Sequence, residues 1–126
     1  MNGQKLSSGN LKMQRGSVWW VSFDPSIGGE IQKRRPAVIV SNDASNKHLN
    51  RVQVVPISSN VDHLYPSEAY IELKGQQRKA MADQIATVSK LRFIEKIGAV
   101  SSGDLLKIEK AIKTQLGFSG SEGGVR

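Results

Sequence analysis

Residues 50–60, with the sequence Asn-Arg-Val-Gln-Val-Val-Pro-Ile-Ser-Ser-Asn, join a β-branched apolar run to an abrupt polar end. Valine and isoleucine favour a pleated, half-buried environment, so Asn50 to Ile57 is predicted to be a strand. Ser58, Ser59 and Asn60 then supply two hydroxyls and an amide, which is common turn chemistry. The functional alternative is that a stiff strand presents a hydroxyl to a bound phosphate.

Further short strands are predicted on both sides of this segment, because β-branched and aromatic runs recur between turn-forming residues. The predicted strands are Val18–Phe23, Ala37–Val40, Ala69–Leu73, Lys79–Ile85 and Lys96–Val100. Asp24 and Pro25 begin a long loop that reaches Arg35, and a turn is predicted at Ser41–Asp43.

The clearest helix is predicted near the end of the chain. Ser101 and Asp104 have the spacing of a capping box, and Gly117 is a typical C-terminal stop. Apolar residues recur between them at helical spacing, namely Leu105, Ile108, Ile112 and Leu116. A series of short strands followed by one helix favours an α+β, mainly β domain such as a small β-barrel over alternating β-α-β units.

The composition indicates one domain without disulfides. The chain has 126 residues, 38% of them hydrophobic, and no cysteine, which excludes disulfides, thiolate metal sites and cysteine nucleophiles. We predict a disordered polar tail at 1–14, a folded domain at 15–118 and a flexible tail at 119–126. No apolar run reaches the roughly 18–20 residues that span a bilayer, so we expect a cytoplasmic protein that does not insert into a membrane.

The formal net charge of +7 favours a polyanionic partner. Nucleic acid is the first candidate, and an anionic membrane or an acidic protein is the second. Membrane binding is the weaker choice because no segment pairs a broad apolar helix face with a dense basic one. A solvated basic surface without a specific ligand remains the alternative.

The segment Lys33-Arg34-Arg35-Pro36 places two arginines at the entry of an apolar strand. Proline forces the preceding residue into extended geometry, so the backbone of Arg35 is held in place. A guanidinium fixed in this way presents donors that fit phosphate oxygens. Arg34 and Arg35 should point to opposite sides, so only one of them can face a given site. The alternative is a solvated basic run beside a strand.

Several enzyme motifs are absent, including the phosphate-binding Gly-Lys-Ser/Thr loop, the Gly-x-Ser-x-Gly elbow and the His-x-x-x-His zinc pair. His48 and His63 lie in polar, turn-like segments and are predicted to be surface residues. We therefore expect neither a metal site nor a cofactor.

Two other features are less specific. The loop Ile27-Gly28-Gly29-Glu30 could be a mobile cover over a groove or only a long turn. Trp19 and Trp20 are adjacent, so one should face the core and the other should point outward or across an interface.

Several segments, taken in order, resemble the MazF/PemK-type toxins of bacterial toxin–antitoxin pairs. They are Arg15–Val21, Asp24–Glu30, Arg35–Asp43, Val54–Asn60, Ala82–Ile85, Lys96–Gly98 and the closing helix to Gly117. Each is weak evidence by itself, but the ordered set covers nearly the whole predicted domain and is specific.

The resemblance implies an SH3-like β-barrel with a C-terminal helix, usually assembled as a homodimer. It also implies metal-independent cleavage of single-stranded RNA at short motifs, leaving 2′,3′-cyclic phosphate and 5′-hydroxyl ends. The family's two principal catalytic positions correspond to Arg35 and Ser58. An acidic, flexible antitoxin is the implied partner and would mask the basic site.

The chain departs from the family pattern at three positions. Ser58 stands where threonine is more frequent, and it lacks the methyl group that stiffens the first side-chain torsion. Ala86 stands where a basic residue is frequent, and Ser17 stands where an acid is usual. The serine predicts a lower rate, and the alanine predicts the loss of a phosphate or dimer contact.

RNA contacts are expected from the glycine loop and from polar residues near strand ends. These residues are Ile27, Gly29, Glu30, Lys33, Arg34, Ser59, Asn60, Lys79 and Gln84. Two alternatives share the scaffold: a non-catalytic toxin that binds a protein, and a nucleic-acid-binding barrel.

Overall fold

A computed structural model describes residues 13–23 and 34–118. Its strands are β1 Ser17–Ser22, β2 Arg34–Ile39, β3 Arg51–Ser58, β4 Glu68–Leu73, β5 Gln76–Met81, β6 Ala86–Ser89 and β7 Phe93–Ala99. Its helices are α1 Asp43–His48 and α2 Ser102–Leu116, and short 3₁₀ turns cover Ala82–Gln84 and Lys90–Arg92. Neither α1 nor α2 has the length and apolar character needed to cross a membrane.

The strands form one antiparallel sheet in the order β4-β5-β3-β2-β1-β7, with β6 also paired to β3. One edge of β3 pairs with β2 through Val54–Pro56. The other edge pairs first with β6 and then, at Ile57 and Ser58, with β5. Because two strands share that edge, the sheet curls into part of a barrel. This confirms the predicted mainly β fold with a C-terminal helix.

Both faces of the sheet are buried, as the alternation along β1 illustrates. Val18 belongs to a core cluster that also contains Ile57 and Ile108, so this cluster lies between the sheet and α2. Trp19 points the other way, into a second cluster with Val54. The strands β1, β2 and β3 each contribute buried apolar side chains to both clusters, which explains the nearly continuous apolar runs in β2 and β3.

The ends of α2 match the prediction. Ser101 Oγ accepts a hydrogen bond from Asp104 N at 3.0 Å, and Gly117 closes the helix in the left-handed conformation with a φ of 70°. Asp104 Oδ2 also accepts from Glu72 N at 2.9 Å, so the cap residue ties α2 to β4. The predicted apolar face is shorter than expected, because Leu116 is 49% exposed.

Three predictions of local structure were wrong. The strand expected at Lys79–Ile85 ends with β5 at Met81, and a 3₁₀ turn at Ala82–Gln84 follows before β6 begins at Ala86. The turn expected at Ser41–Asp43 leads directly into α1, where Asn42 Oδ1 accepts from Ser45 N at 2.8 Å as an N-cap. The tail expected at 1–14 overlaps the folded part, because Met13 is buried in the cluster that contains Trp19. The remainder of that tail and the segment 119–126 lie outside the described residues.

Candidate functional site

Arg35 and Ser58 lie at the ends of neighbouring strands. Ala37 pairs with Pro56 in the β2–β3 ladder, and continuing this antiparallel register by two residues sets Arg35 opposite Ser58. Side chains two residues apart along a strand point to the same face, so Arg35 and Ser58 share a face. The register thus allows one phosphate group to contact a guanidinium and a hydroxyl together.

The hydroxyl of Ser58 is oriented by the loop that follows it. Ser58 Oγ accepts a hydrogen bond from Asn60 N at 3.1 Å, and Asn60 Oδ1 accepts one from Asp62 N at 3.1 Å. A hydroxyl that accepts from the backbone keeps its own proton available to donate. Ser58 can therefore offer that proton to an anionic oxygen.

A cleft of about 480 Å³ opens at the same end of β2 and β3. Both Arg34 and Arg35 line it, together with Trp20 and Ser59. Of the two serines at the end of β3, Ser59 lines this cleft and Ser58 does not. By alternation Arg34 is on the cleft face of β2, whereas Arg35 and Ser58 are on the opposite face, and Arg35 lines the cleft from the first residues of β2.

Two further basic residues, Lys74 and Arg78, line this cleft and were missed by the sequence analysis. They are brought there by the tight β4–β5 hairpin, whose turn residues Lys74 and Gly75 have φ values of 52° and 77°. Positive φ at both central residues is typical of type I′ hairpin turns. The Lys-Gly pair between two alternating segments is the signal that could have revealed this hairpin.

Lys79 has a different role from the one predicted. The residue is only 7% exposed, and its Nζ lies 3.1 Å from Glu68 Oε1 and donates to His63 O at 2.9 Å. An ammonium engaged in this way inside the protein is not presented to an RNA phosphate. Lys79 is nevertheless next to the site, because it is the β5 partner of Ser58.

The other predicted RNA contacts that the structure describes lie in two places, directly after β3 and on the 3₁₀ turn after β5. Ser59, Asn60 and Gln84 are exposed, but Gln84 is placed on the 3₁₀ turn after β5, where its Nε2 contacts Met81 Sδ at 3.7 Å. Ser59 and Asn60 directly follow Ser58. Four predicted contacts lie outside the described residues, namely Ile27, Gly29, Glu30 and Lys33.

The remaining aromatic and histidine residues follow the predictions. Trp19 is buried and packs edge-on against Phe93 with ring centroids 5.7 Å apart, whereas Trp20 is 38% exposed and faces the cleft. His48 and His63 are both exposed. Within 13–23 and 34–118, no three His, Asp or Glu side chains converge as ligands for a metal ion.

Comparison with solved structures shows the same architecture. A MazE–MazF crystal structure from Deinococcus radiodurans aligns with a TM-score of 0.72 and 26% identity, covering 84% of this chain and 96% of that one. An endoribonuclease in complex with its cognate antitoxin, from a mycobacterial species, aligns with a TM-score of 0.71 and 25% identity, covering 83% and 95%.

Comparison with known sequences gives the family. The chain is 37% identical over 113 residues to the Mycobacterium tuberculosis protein named Endoribonuclease MazF9, covering 82% of this chain and 96% of the relative. Residues 14–116 match the family described as PemK-like, MazF-like toxin of type II toxin-antitoxin system. Because this match spans nearly all of the folded part, the chain belongs to the PemK-like, MazF-like toxins of type II toxin–antitoxin systems.

Proposed function

We propose that this protein is an endoribonuclease that cleaves single-stranded RNA as the toxin of a toxin–antitoxin pair. The 2′-oxygen of the RNA loses its proton and attacks the adjacent phosphorus, the bond from phosphorus to the 5′-oxygen of the next nucleotide breaks, and that oxygen takes up a proton, which leaves 2′,3′-cyclic phosphate and 5′-hydroxyl ends. The observation that carries this proposal is the β2–β3 register: continued two residues beyond its Ala37–Pro56 pair, it brings Arg35 opposite Ser58, and Arg35 also lines a basic cleft. The family membership supports the same activity over a non-catalytic toxin or a plain nucleic-acid-binding barrel.

The proposed chemistry requires alignment and charge stabilisation, because RNA supplies its own nucleophile. Arg35 donates to the non-bridging oxygens of the scissile phosphate and offsets the negative charge that grows on them. Ser58 donates its hydroxyl proton to the same group, since its Oγ is held as an acceptor by Asn60 N. Arginine stays protonated in proteins and is a poor general base, so another group or water accepts the 2′-hydroxyl proton.

The cleft supplies the binding surface for the flanking nucleotides. Four basic residues line it, namely Arg34, Arg35, Lys74 and Arg78. Trp20 offers an exposed aromatic ring on which a base can stack. The loop with Ile27, Gly29, Glu30 and Lys33, together with Ser59, Asn60 and Gln84, reads base edges. This combination suits an unpaired strand better than a duplex, because only unstacked bases reach aromatic faces.

Two protein partners belong to the same proposal. An acidic, flexible antitoxin segment neutralises the basic cleft and folds as it binds, in agreement with the net charge of +7 and with solved relatives bound to antitoxins. A homodimer is the proposed assembly, and the exposed apolar residues Leu91 (94%) and Ile94 (47%) are available for contacts between subunits. The cytoplasm is the proposed place of action.

The proposal is tested by incubating the protein with one long RNA in EDTA and mapping the cut sites by primer extension. We expect cuts at a recurring short motif, with cyclic phosphate and 5′-hydroxyl ends. An RNA with a single 2′-deoxynucleotide at a mapped site should resist cleavage there and be cut elsewhere. Intact RNA at all protein concentrations, or cleavage of the 2′-deoxy site, would contradict the proposal.

A further inference from the structure

The loop between β3 and β4, residues 59–67, is attached to the sheet by a buried ion pair. Lys79 and Glu68 each have a side-chain exposure of 9%, and Lys79 Nζ lies 3.1 Å from Glu68 Oε1. The same ammonium donates to His63 O at 2.9 Å, and the same carboxylate oxygen accepts from Tyr65 N at 3.0 Å. Both buried charges therefore hold the backbone of this loop.

Additional hydrogen bonds fix both ends of the loop. Tyr70 OH donates to Val61 O at 2.8 Å, and Glu68 N donates to Tyr65 O at 2.9 Å. Ser67 O accepts from Ala82 N at 3.0 Å. A surface loop with this many internal partners has a defined conformation, so the side chains that it exposes are held in fixed positions.

Tyr65 is the aromatic residue that this loop presents to solvent. Tyr65 is 61% exposed, and the centroid of its ring lies 5.7 Å from Lys79 Nζ. The ammonium lies over one face of the ring, and the His63 ring lies beside it with centroids 6.4 Å apart at an interplanar angle of 39°, so a planar group would stack on the part of the Tyr65 ring that is exposed to solvent.

The loop lies beside the proposed catalytic pair. Ser58 and Lys79 are cross-strand partners, and Lys79 is in turn the partner of Tyr70. Cross-strand partners share a sheet face, and adjacent strands are only about 4.8 Å apart. The row Arg35, Ser58, Lys79 and Tyr70 is therefore on one face, and the loop that carries Tyr65 folds over the end of that row.

We propose that Tyr65 is a specificity-determining residue that stacks on an unpaired RNA base next to the cleavage site, and that the Lys79–Glu68 pair positions it. This proposal rests on the proposed function and adds a second stacking surface outside the cleft that contains Trp20. RNA gripped by Arg35 and Ser58 continues across Lys79 toward Tyr65. The base at that position is selected through its stacking strength.

The test uses a short RNA with the mapped cleavage motif and a 2′-deoxynucleotide at the cut, so that binding is measured without cleavage. Fluorescence anisotropy gives the Kd, and the matched all-ribose RNA gives KM and single-turnover kcat. We expect Tyr65→Ala and Tyr65→Leu to raise Kd and KM about 5- to 100-fold, because stacking of one base contributes that much. The kcat at saturating RNA should change less than twofold, and Tyr65→Phe should bind like the unmodified protein.

A walk of abasic nucleotides locates the stacked base. In the unmodified protein one abasic position next to the cut should raise the Kd for RNA. In Tyr65→Ala an abasic nucleotide at the same position should leave the Kd unchanged. Leu64→Ala is the matched control, because Leu64 is the adjacent residue, is 45% exposed and is not aromatic. Equal Kd values for Tyr65→Ala and the unmodified protein, or an abasic penalty that persists in Tyr65→Ala, would overturn the proposal.

The two proposals fail in different ways. If the unmodified protein cuts no RNA but binds a long single-stranded RNA more tightly than Tyr65→Ala does, the stacking role stands and the endoribonuclease activity is lost. If the protein cuts RNA and Tyr65→Ala cuts with unchanged KM, the activity stands and the stacking role is wrong.

Discussion

At the scale of single residues, the two arginines differ in what they can reach. Arg35 lies opposite Ser58 in the β2–β3 register, whereas Arg34 is on the alternate side of the strand. Pro36 pairs with Trp20 and fixes the extended backbone from which Arg35 projects. Arg35 is thus the residue whose guanidinium acts with the Ser58 hydroxyl, and Arg34 serves the RNA that lies in the cleft.

Ser58 leads to a prediction about rate. Its Oγ is oriented by one hydrogen bond from Asn60 N, but serine lacks the methyl group that restricts the first side-chain torsion. We expect Ser58→Thr to raise single-turnover kcat a few-fold and to leave KM nearly unchanged. Ser59→Thr is the control, since Ser59 lines the cleft without sharing the face of Arg35. A lower kcat for Ser58→Thr would show that the site has no room for the methyl group.

At the scale of secondary-structure elements, the Lys79–Glu68 pair connects β5, the start of β4 and the loop at 59–67. Removing one partner leaves a buried charge without compensation, which typically costs about 3–5 kcal/mol. We expect Lys79→Met to lower the free energy of unfolding by about that amount in urea titrations. The double variant Lys79→Met/Glu68→Leu should recover most of the loss, because no isolated charge remains. A single variant within about 0.5 kcal/mol of the unmodified protein would contradict this account.

The two helices show which secondary-structure elements the sequence could predict. The α2 cap at Ser101 and the stop at Gly117 were predictable, because capping chemistry is local. The helix α1 was not, since five of its six residues are polar and its one buried residue, Asn46, is stabilised by hydrogen bonds rather than by an apolar face. Periodicity detects only helices that bury an apolar stripe.

The candidate site was predictable only in part, for a related reason. The strand-end positions of Arg35 and Ser58 left alternatives open and the family resemblance indicated their roles, although nothing in the sequence gives the register that pairs them. Lys79 looked like any other surface lysine until the β4–β5 hairpin placed it beside Glu68. Lys74 and Arg78 join the cleft through the same hairpin, whose Lys-Gly turn is a local signal, whereas the long-range pairing of β5 with β3 that carries the hairpin to the site has no local signature.

At the scale of the whole molecule, the charge predicts how RNA binding responds to salt. Each phosphate neutralised on a single strand contributes about 0.7 to the slope of log K against log salt. We expect Arg78→Gln to weaken binding similarly for all RNA sequences and to reduce that slope by about 0.7, the contribution of one phosphate contact. Lys110→Gln on α2 is the control with the same loss of charge, because Lys110 is exposed on the helix and away from the cleft. Equal slopes for the two variants would mean that general charge, rather than the cleft, attracts RNA.

If Arg35 and Ser58 act on one phosphate, single-turnover cleavage of a mapped RNA should depend on both side chains. Removing one preorganised donor of this kind reduces the rate about 100- to 1000-fold. We predict such a loss of kcat for Arg35→Ala and for Ser58→Ala, with unchanged thermal unfolding and with RNA binding retained. Arg51→Ala, which removes an exposed arginine from the start of β3, should cleave at the normal rate. Normal rates in both Arg35→Ala and Ser58→Ala would contradict the account.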